Sequence, residues 1–540
     1  MSGFRLIINN KKDNIKVTHQ YERCYYISSN NFQLSLDLHP NAINRIQEHQ
    51  HFAFCLFGNI VFKKTFESRW VEFTRLERFP ENKEIIDLFR HLTGIYALTI
   101  INKLTGELRI TADPLSFYPI YYYKSDHQLV LASSVLHFLE FKDQLHWDES
   151  LIYNYLQNGN FVLNRTWYKE ILRMKSGMLM KLDCNNLAFS FQAFWSWREI
   201  QIDVSNNLDL LMESFHEIFS KSIGDLNFEN QEKIGISLSG GADSRYMSAI
   251  CSKYWDAETY TFSAGHSKDL ILAQEVSSNL QLKHTYYELT YDHWLKDRLP
   301  AFWNCGGAVN VGQFHEGTIY NLIKEEYNIC FHGVFAQVFN EKLPGGKLTH
   351  DEARRVLACS PEEYDIEDPY YEYPSLSPYF FEHNVKNKSA QVIYNLSHYV
   401  TIVPPFYDLN LFYFLYSLPL HYTVHGKFYL EVMHRYLPKA LSKIPWQKTG
   451  ISLQYPHWNY VAIKYKWPVI KERVYGMFGK SDHFYNYRNI EKELDFWIKE
   501  FALEKYFDDI NFDKSRQHKL NILSYYIWQE MHKKQTYAIL

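Results

Sequence analysis

The residues best suited to chemistry stand in one short run, Ile234-Gly-Ile-Ser-Leu-Ser-Gly-Gly-Ala-Asp-Ser-Arg245. An apolar stretch with the signature of a buried strand, Lys233–Leu238, runs into Ser239-Gly240-Gly241, and Asp243 and Ser244 open a helical pattern. Paired glycines let backbone N–H groups come close to an anion, and a helix N-terminus adds partial positive charge. The hydroxyls of Ser239 and Ser244 can donate to the same oxygens. Asp243 repels a phosphate, so its chemistry there is to hold Mg2+ bridging phosphate oxygens. A Gly-Gly turn with a Ser/Asp helix cap also stands without any ligand. The run is not a P-loop, since the chain has no GxxxxGK[ST].

The elements that must position this turn change character near Ile200. Before it lie many short extended runs, FRLII, CYYISS, FAFCLFG, IYALTII, ELRITA, PIYYY and LVLASS, rich in β-branched and aromatic residues and separated by polar or Gly/Pro/Asn turns. Helical patterns interrupt them near Asn82–Leu92 and Glu149–Gln157. This predicts an α+β layer of antiparallel sheets. After it, Leu208–Ile223 has apolar residues at helical spacing, followed by the strand Lys233–Leu238, a helix and the strand-like Thr259–Ser263. Strand, helix, strand in that order predicts an α/β part with a parallel sheet, and beyond about Asp408 the chain reads as mostly helical. The predicted division is 1–204 and 205–540.

Composition excludes some partners. The 540 residues carry 57 Lys+Arg against 61 Asp+Glu, a net charge of −4, so neither nucleic acid nor a membrane surface is expected. Tyr 42, Phe 38 and Trp 13 make the chain 17% aromatic, which fits either an A/T-rich coding sequence or an aromatic-lined pocket. Seven scattered cysteines without a CxxC pair suggest a reducing compartment rather than a disulfide framework or zinc site. The N-terminal MSGFRLIINNKKDN lacks a secretion signal, and the most apolar stretch, Leu409–Leu420, is too short to span a bilayer. A soluble cytoplasmic protein is expected.

The full string Ser239-Gly-Gly-Ala-Asp-Ser244 resembles the pyrophosphate loop of ATP pyrophosphatases, which cleave ATP between the α and β phosphates. Other segments resemble the asparagine synthetase family in order. Gly94-Ile-Tyr-Ala97, Thr111-Ala-Asp-Pro-Leu115, Pro119-Ile-Tyr121 and Ala132-Ser-Ser134 are similar to its glutaminase-type domain. Tyr260-Thr-Phe-Ser-Ala-Gly265 with Asp269, Val403-Pro-Pro-Phe-Tyr-Asp408 and Pro445-Trp-Gln-Lys-Thr-Gly450 are similar to its synthetase part. The resemblance implies an Ntn-type sandwich, a class II glutamine amidotransferase-like domain, followed by an ATP-pyrophosphatase domain. It implies that ATP and Mg2+ are used to adenylate a carboxylate, which an amine then attacks. By the same resemblance Leu238 and Phe262 line the adenine pocket, Ser239, Gly240, Gly241 and Ser244 cradle pyrophosphate, Asp243 holds Mg2+, Gly333 approaches the adenosine and Lys448 is catalytic.

Two departures qualify what the resemblance implies. The family's glutaminase uses a cysteine exposed by removal of the first Met, where this chain has Ser2 followed by Gly3, and the turn matching its oxyanion segment reads Phe57-Gly-Asn-Ile60. Loss of glutaminase activity is expected, as in the related β-lactam synthetases and lasso-peptide cyclases. In Phe331-His-Gly-Val-Phe-Ala-Gln-Val-Phe-Asn-Glu341, Gln337 stands where the family has an acid that ligates a second Mg2+, leaving Glu341 or another acid to compensate. The expected function is a glutamine-independent amide ligase for a small-molecule or peptide carboxylate, in natural-product or modified-peptide biosynthesis, with a precursor peptide or pathway protein as possible partner. The alternatives are a catalytically degenerate scaffold, an ammonia-dependent asparagine synthetase and a polysaccharide amidotransferase. The Tyr- and acid-rich run Glu362–Tyr373 offers groups to deprotonate an amine and equally suits an exposed loop.

Overall fold

The short β-branched and aromatic runs of the first 200 residues pair into two six-stranded sheets. The computed structural model describes residues 4–10, 23–28, 32–38, 43–204, 207–228, 232–289, 294–336, 368–423, 426–455, 487–509 and 515–536. Ser2, Gly3, Gln337, Glu341 and residues 362–367 of the Tyr- and acid-rich run lie outside them.

The first sheet holds β1 (Phe4–Asn10), β2 (Arg23–Ser28) and β3 (Phe32–Leu38). The second opens with β4 (Ile43–Glu48), β5 (Phe52–Phe62), β6 (Leu92–Asn102) and β7 (Glu107–Ala112). The chain returns to the first with β8 (Tyr121–Lys124), β9 (Gln128–Ala132) and β10 (Leu172–Arg173), then completes the second with β11 (Met178–Asp183) and β12 (Ala188–Ala193). The strand orders are β10-β8-β9-β1-β3-β2 and β12-β11-β7-β6-β5-β4. Neighbours run antiparallel throughout. Apolar rings of the two sheets meet, Phe4 of β1 lying 4.7 Å from Phe57 of β5. The helix expected over Asn82–Leu92 ends at Phe89, because Leu92 already pairs with Phe62 at the start of β6.

Phe57-Gly-Asn-Ile60 is not a turn. The four residues continue β5, in unbroken register with Ile95, Tyr96 and Ala97 of β6 through Gly94. Gly58 adopts φ +136, and a Cβ there would stand 2.5 Å from the Ile95 carbonyl oxygen, so glycine is required for close strand approach. Asn59 is equally committed: its Nδ2 donates to Ile402 O at 2.7 Å and its Oδ1 accepts from Ile402 N at 3.0 Å.

The second part is built on a parallel sheet of order β15-β14-β13-β16-β17. Its strands are β13 (Ile234–Ser237), β14 (Ala257–Ser263), β15 (His284–Glu288), β16 (Ile329–Phe331) and β17 (Thr401–Val403). All four pairings are parallel. Helices Ala242–Tyr254 and Lys268–Leu280 make the crossovers that parallel pairing demands. The strands are short and mostly buried, as sheets covered on both faces are. β13 sends the chain to β14 on one side while β16 adds on the other, which opens a crevice at the strands' C-terminal ends.

Buried polar contacts join the two parts. The Tyr407 hydroxyl donates to Asp113 at 2.7 Å, and Arg173 donates to Asn387 Oδ1 at 2.9 Å. Glu382 and Lys386 pair on one face of the π-helical segment Phe381–Ser389, with Ser176 donating to the same carboxylate. Burial pulls the Lys386 ammonium down to about 8 against the opposing pull of Glu382. The aromatic residues largely serve the core: Trp167, Trp195, Trp197, Trp294 and Trp528 are among the largest fully buried side chains. Among the described residues, no helix is long and apolar enough to cross a membrane.

Candidate active site

The C-terminal ends of β13, β14 and β16 surround a cavity of about 380 Å³. Its lining includes Leu238, Ser239, Gly241, Asp243 and Ser244 from the turn after β13, and Thr261 and Phe262 from β14. Gly333 and His332 follow β16, and Asp269, Glu316 and Gln447 complete the wall. Phe262 is the only aromatic carbocycle among these residues, so the high aromatic content is not concentrated here.

The turn is wound by its own side chains. Ser244 Oγ accepts from Ser239 N at 3.2 Å and lies 3.0 Å from Ser239 Oγ, while Ser239 Oγ accepts from Gly241 N at 3.2 Å. Gly240 N donates to Asp269 Oδ1 at 2.9 Å. The three turn amides are therefore satisfied within the protein, and an incoming anion competes with two rotatable hydroxyls and one carboxylate. Gly241 is the N-cap of the helix Ala242–Tyr254, with Asp243 in its first turn, where a carboxylate complements the helix dipole. Gly240 is required by packing: a Cβ would lie 2.9 Å from Leu272 Cδ1 and 3.0 Å from Gln447 Cβ. At Gly333 a Cβ would find its nearest neighbour among the described residues, Ser244 N, at 4.0 Å. That position is open toward the turn, as a backbone that receives a ligand would be.

The segment carrying Lys448 is clamped to this turn. Arg245, with no exposed surface, donates to Ile444 O at 2.7 Å, Pro445 O at 2.9 Å and Leu441 O at 3.1 Å. Gln447 N donates to Gly240 O at 3.2 Å, and Gln447 Nε2 to Asp269 Oδ2 at 2.9 Å. Lys448 itself is exposed, its Nζ 5.9 Å from the Trp446 ring centre, and it is not part of the cavity lining. Buried Tyr429 adjoins Asp243. Burial first, and the Asp243 charge second, raise its pKa, so the phenol stays protonated beside that carboxylate.

Of the residues singled out in the sequence, Leu238, Ser239, Gly241, Asp243, Ser244, Phe262 and Gly333 line one cavity. Gly240 stands behind it and Lys448 beside it. Asp269 and Gln447 act as braces, and their neighbourhood to the turn was signalled only by the segments that contain them. His332 lay unremarked in the segment around Gly333 and Glu316 had no local signal, because a sequence separation of 16 lies between them before Glu316 Oε1 meets His332 Nε2 at 3.3 Å.

Residues 84–195 match the sequence pattern of a glutamine amidotransferase domain, and residues 219–311 match that of asparagine synthase. The second match contains the turn and Asp269 but stops short of Gly333 and Lys448. Asparagine synthetase [glutamine-hydrolyzing] 2 of Bacillus subtilis (strain 168) is 22% identical over 270 residues, covering 46% of this chain and 36% of that protein. The chain thus spans about a third of the length of that curated relative. A solved structure of glutamine phosphoribosylpyrophosphate amidotransferase from B. subtilis is similar over 54% of this chain and 86% of that one, with a TM-score of 0.22 and 10% identity. An NH3-dependent NAD synthetase from Campylobacter jejuni subsp. jejuni is similar over 25% of this chain and 61% of that one, with a TM-score of 0.17 and 14% identity.

Proposed function

This chain is a member of the asparagine synthetase family, and from that premise we propose that it is an ATP-dependent amide ligase working in a reducing, cytoplasmic setting. The carboxylate of a small molecule or peptide attacks the α-phosphate of ATP and releases pyrophosphate, and an amine then displaces AMP. A free carboxylate needs such activation because amide formation in water is uphill. The observation that carries this reading is the gathering of the Ser239–Ser244 turn, Phe262, Gly333 and Asp243 around one cavity at the crevice of a parallel sheet.

The turn's hydroxyls rotate to donate to pyrophosphate, and the Gly240 amide, held by Asp269, keeps the turn in shape. The residues present fit a divalent cation, since Asp243 lies on the cavity wall and Gly333 leaves the approach to the turn open. Mg2+, when bound, would neutralise phosphate charge. Phe262 and Leu238 face the adenine. Lys448 reaches on its flexible stem from the exposed side toward the α-phosphate, where its cation stabilises developing charge.

The amine does not come from glutamine in this reading. Ser2 replaces the family's cysteine. Cys55, Cys184, Cys251, Cys305 and Cys330 are buried free thiols pushed up by burial, Cys184 and Cys305 to about 12. The two antiparallel sheets then serve as a degenerate glutamine amidotransferase sandwich retained as scaffold. Biosynthesis of a natural product or modified peptide, with a precursor peptide or pathway protein as partner, is the setting we favour. A second reading, a nucleotide-silent scaffold, is favoured by Gln337 and by the exposed position of Lys448.

Titration calorimetry with α,β-methylene-ATP and Mg2+ tests the proposal. Binding in the micromolar-to-millimolar range supports the ligase, and no heat at millimolar nucleotide leaves the scaffold. Pyrophosphate release dependent on an added carboxylic acid, with AMP formed in equal amount, then identifies the substrate.

A further inference from the structure

Three acids line the cavity: Asp243, Asp269 and Glu316. Asp269 is spent on the protein itself, one oxygen on Gly240 N and the other on Gln447 Nε2. Glu316 is only 9% exposed. Its Oε1 meets His332 Nε2 at 3.3 Å, and its Oε2 is buried with no hydrogen-bond partner among the described residues.

The imidazole orients one oxygen of Glu316. His332 Nδ1 accepts the Val334 amide at 3.1 Å, so in the neutral ring the proton sits on Nε2 and is donated to Glu316 Oε1. Tyr260, Tyr320 and Cys330 nearby are held protonated by burial, with the Glu316 charge adding to it. Among the described residues Glu316 has no lysine or arginine as ion-pair partner; its one such contact is His332. A buried carboxylate with one oxygen oriented and the other bare is costly unless a cation completes it. An oriented carboxylate with a bare oxygen on a polyphosphate-sized cavity is also how proteins present a hard-cation ligand. In the turn where the resemblance places a metal-binding acid, the described residues His332–Ala336 contain none, and Gln337 follows.

We infer that Glu316 Oε2 is a divalent-cation ligand that shares with Asp243 the metal carried by the nucleotide's phosphates, with His332 as its positioning residue. The inference rests on the nucleotide-binding reading above. It places the missing acid on the segment before the helix Tyr320–Glu326, rather than on the turn after β16.

The test is calorimetric titration of the full chain with α,β-methylene-ATP at increasing MgCl2 and constant ionic strength, repeated with Mn2+ and read by its electron paramagnetic resonance. In Glu316→Gln the Mg2+ concentration for half-maximal tightening of nucleotide binding should rise by about tenfold or more. Bound Mn2+ should fall in parallel, while nucleotide affinity in EDTA should not fall, since without the metal the lost carboxylate only repelled the phosphates. Glu316→Asp, which keeps the charge but withdraws the oxygen by one methylene, should shift the midpoint in the same direction and decides the matter if Glu316→Gln does not fold. A wild-type Mg2+ midpoint in both variants overturns the inference. Wild-type protein that binds no nucleotide at any Mg2+ concentration removes the nucleotide reading itself, and this inference with it.

Discussion

Gln447 Nε2 donates to Asp269 Oδ2 at 2.9 Å across a sequence separation of 178 residues, while the other oxygen of Asp269 accepts the Gly240 amide at 2.9 Å. One carboxylate thus holds the glycine turn to the segment that carries Lys448. A hydrogen bond to a charged group contributes about 1.5–3 kcal/mol, and Asp269→Asn surrenders that charge at both contacts. The variant should lose about 2 kcal/mol of stability in urea denaturation. Its affinity for α,β-methylene-ATP should drop by about tenfold, which is about 1.4 kcal/mol. An unchanged affinity would mean that the turn keeps its shape without the brace.

The two glycines of the site should respond in opposite ways. Gly240→Ala forces a Cβ against Leu272, Gln447 and Asp269, and overpacking of this kind costs about 1–3 kcal/mol in thermal or chemical unfolding. Gly333→Ala meets nothing nearer than 4.0 Å among the described residues and should alter stability by no more than about 0.5 kcal/mol. Its methyl group occupies the approach to Ser244, so nucleotide affinity should fall by about tenfold. Unfolding curves and calorimetry on the same two preparations check both halves.

Lys448→Met should leave the fold and nucleotide binding close to wild type, because the side chain is exposed and outside the cavity lining. Product formation should fall by at least about 100-fold, the scale seen when one electrostatic stabiliser of a transition state is removed. Near-normal turnover would assign the charge-neutralising role to another group.

The buried pair between the two parts makes a double-mutant test. Glu382→Leu leaves the Lys386 ammonium uncompensated in a site with no exposure, and breaking such a pair costs about 3–5 kcal/mol. Adding Lys386→Met should recover most of that loss in urea denaturation. Failure of the second substitution to rescue would show that Lys386 matters through its other contacts, such as Met174 O at 3.2 Å.

His383 supplies one part of the pH dependence. Burial, aided by the Lys386 charge, lowers its pKa from 6.5 to about 3. Between these values the unfolded chain binds the proton and the folded protein does not. Stability is therefore complete above about pH 6.5 and declines as the pH falls toward 3, by about 1.4 kcal/mol per pH unit for this group. His383→Gln should flatten the acid limb by about that slope when urea midpoints are followed from pH 7 to about pH 4.5.

Local pattern was enough to reveal much of this protein. The strand Ile234–Ser237, the glycine turn and the helix Ala242–Tyr254 follow from apolar continuity, paired glycines and an acidic first turn, all within about 20 residues of chain. The antiparallel runs of the first 200 residues were legible for the same reason, since alternation and turn residues act between neighbours. Tertiary structure alone decided three things. The family resemblance cast Phe57–Ile60 as a turn, yet eleven residues of pairing with β6 and two hydrogen bonds between Asn59 and Ile402 hold it extended. Lys448 came out beside the cavity rather than in its wall because Gln447, one residue earlier, takes the inward position through Asp269. Glu316 became a site residue only when β16 carried His332 up to it. Short-range propensity shapes strands, turns and helix starts, whereas the neighbours of a side chain across a sheet depend on strand order and register, which no local spacing encodes.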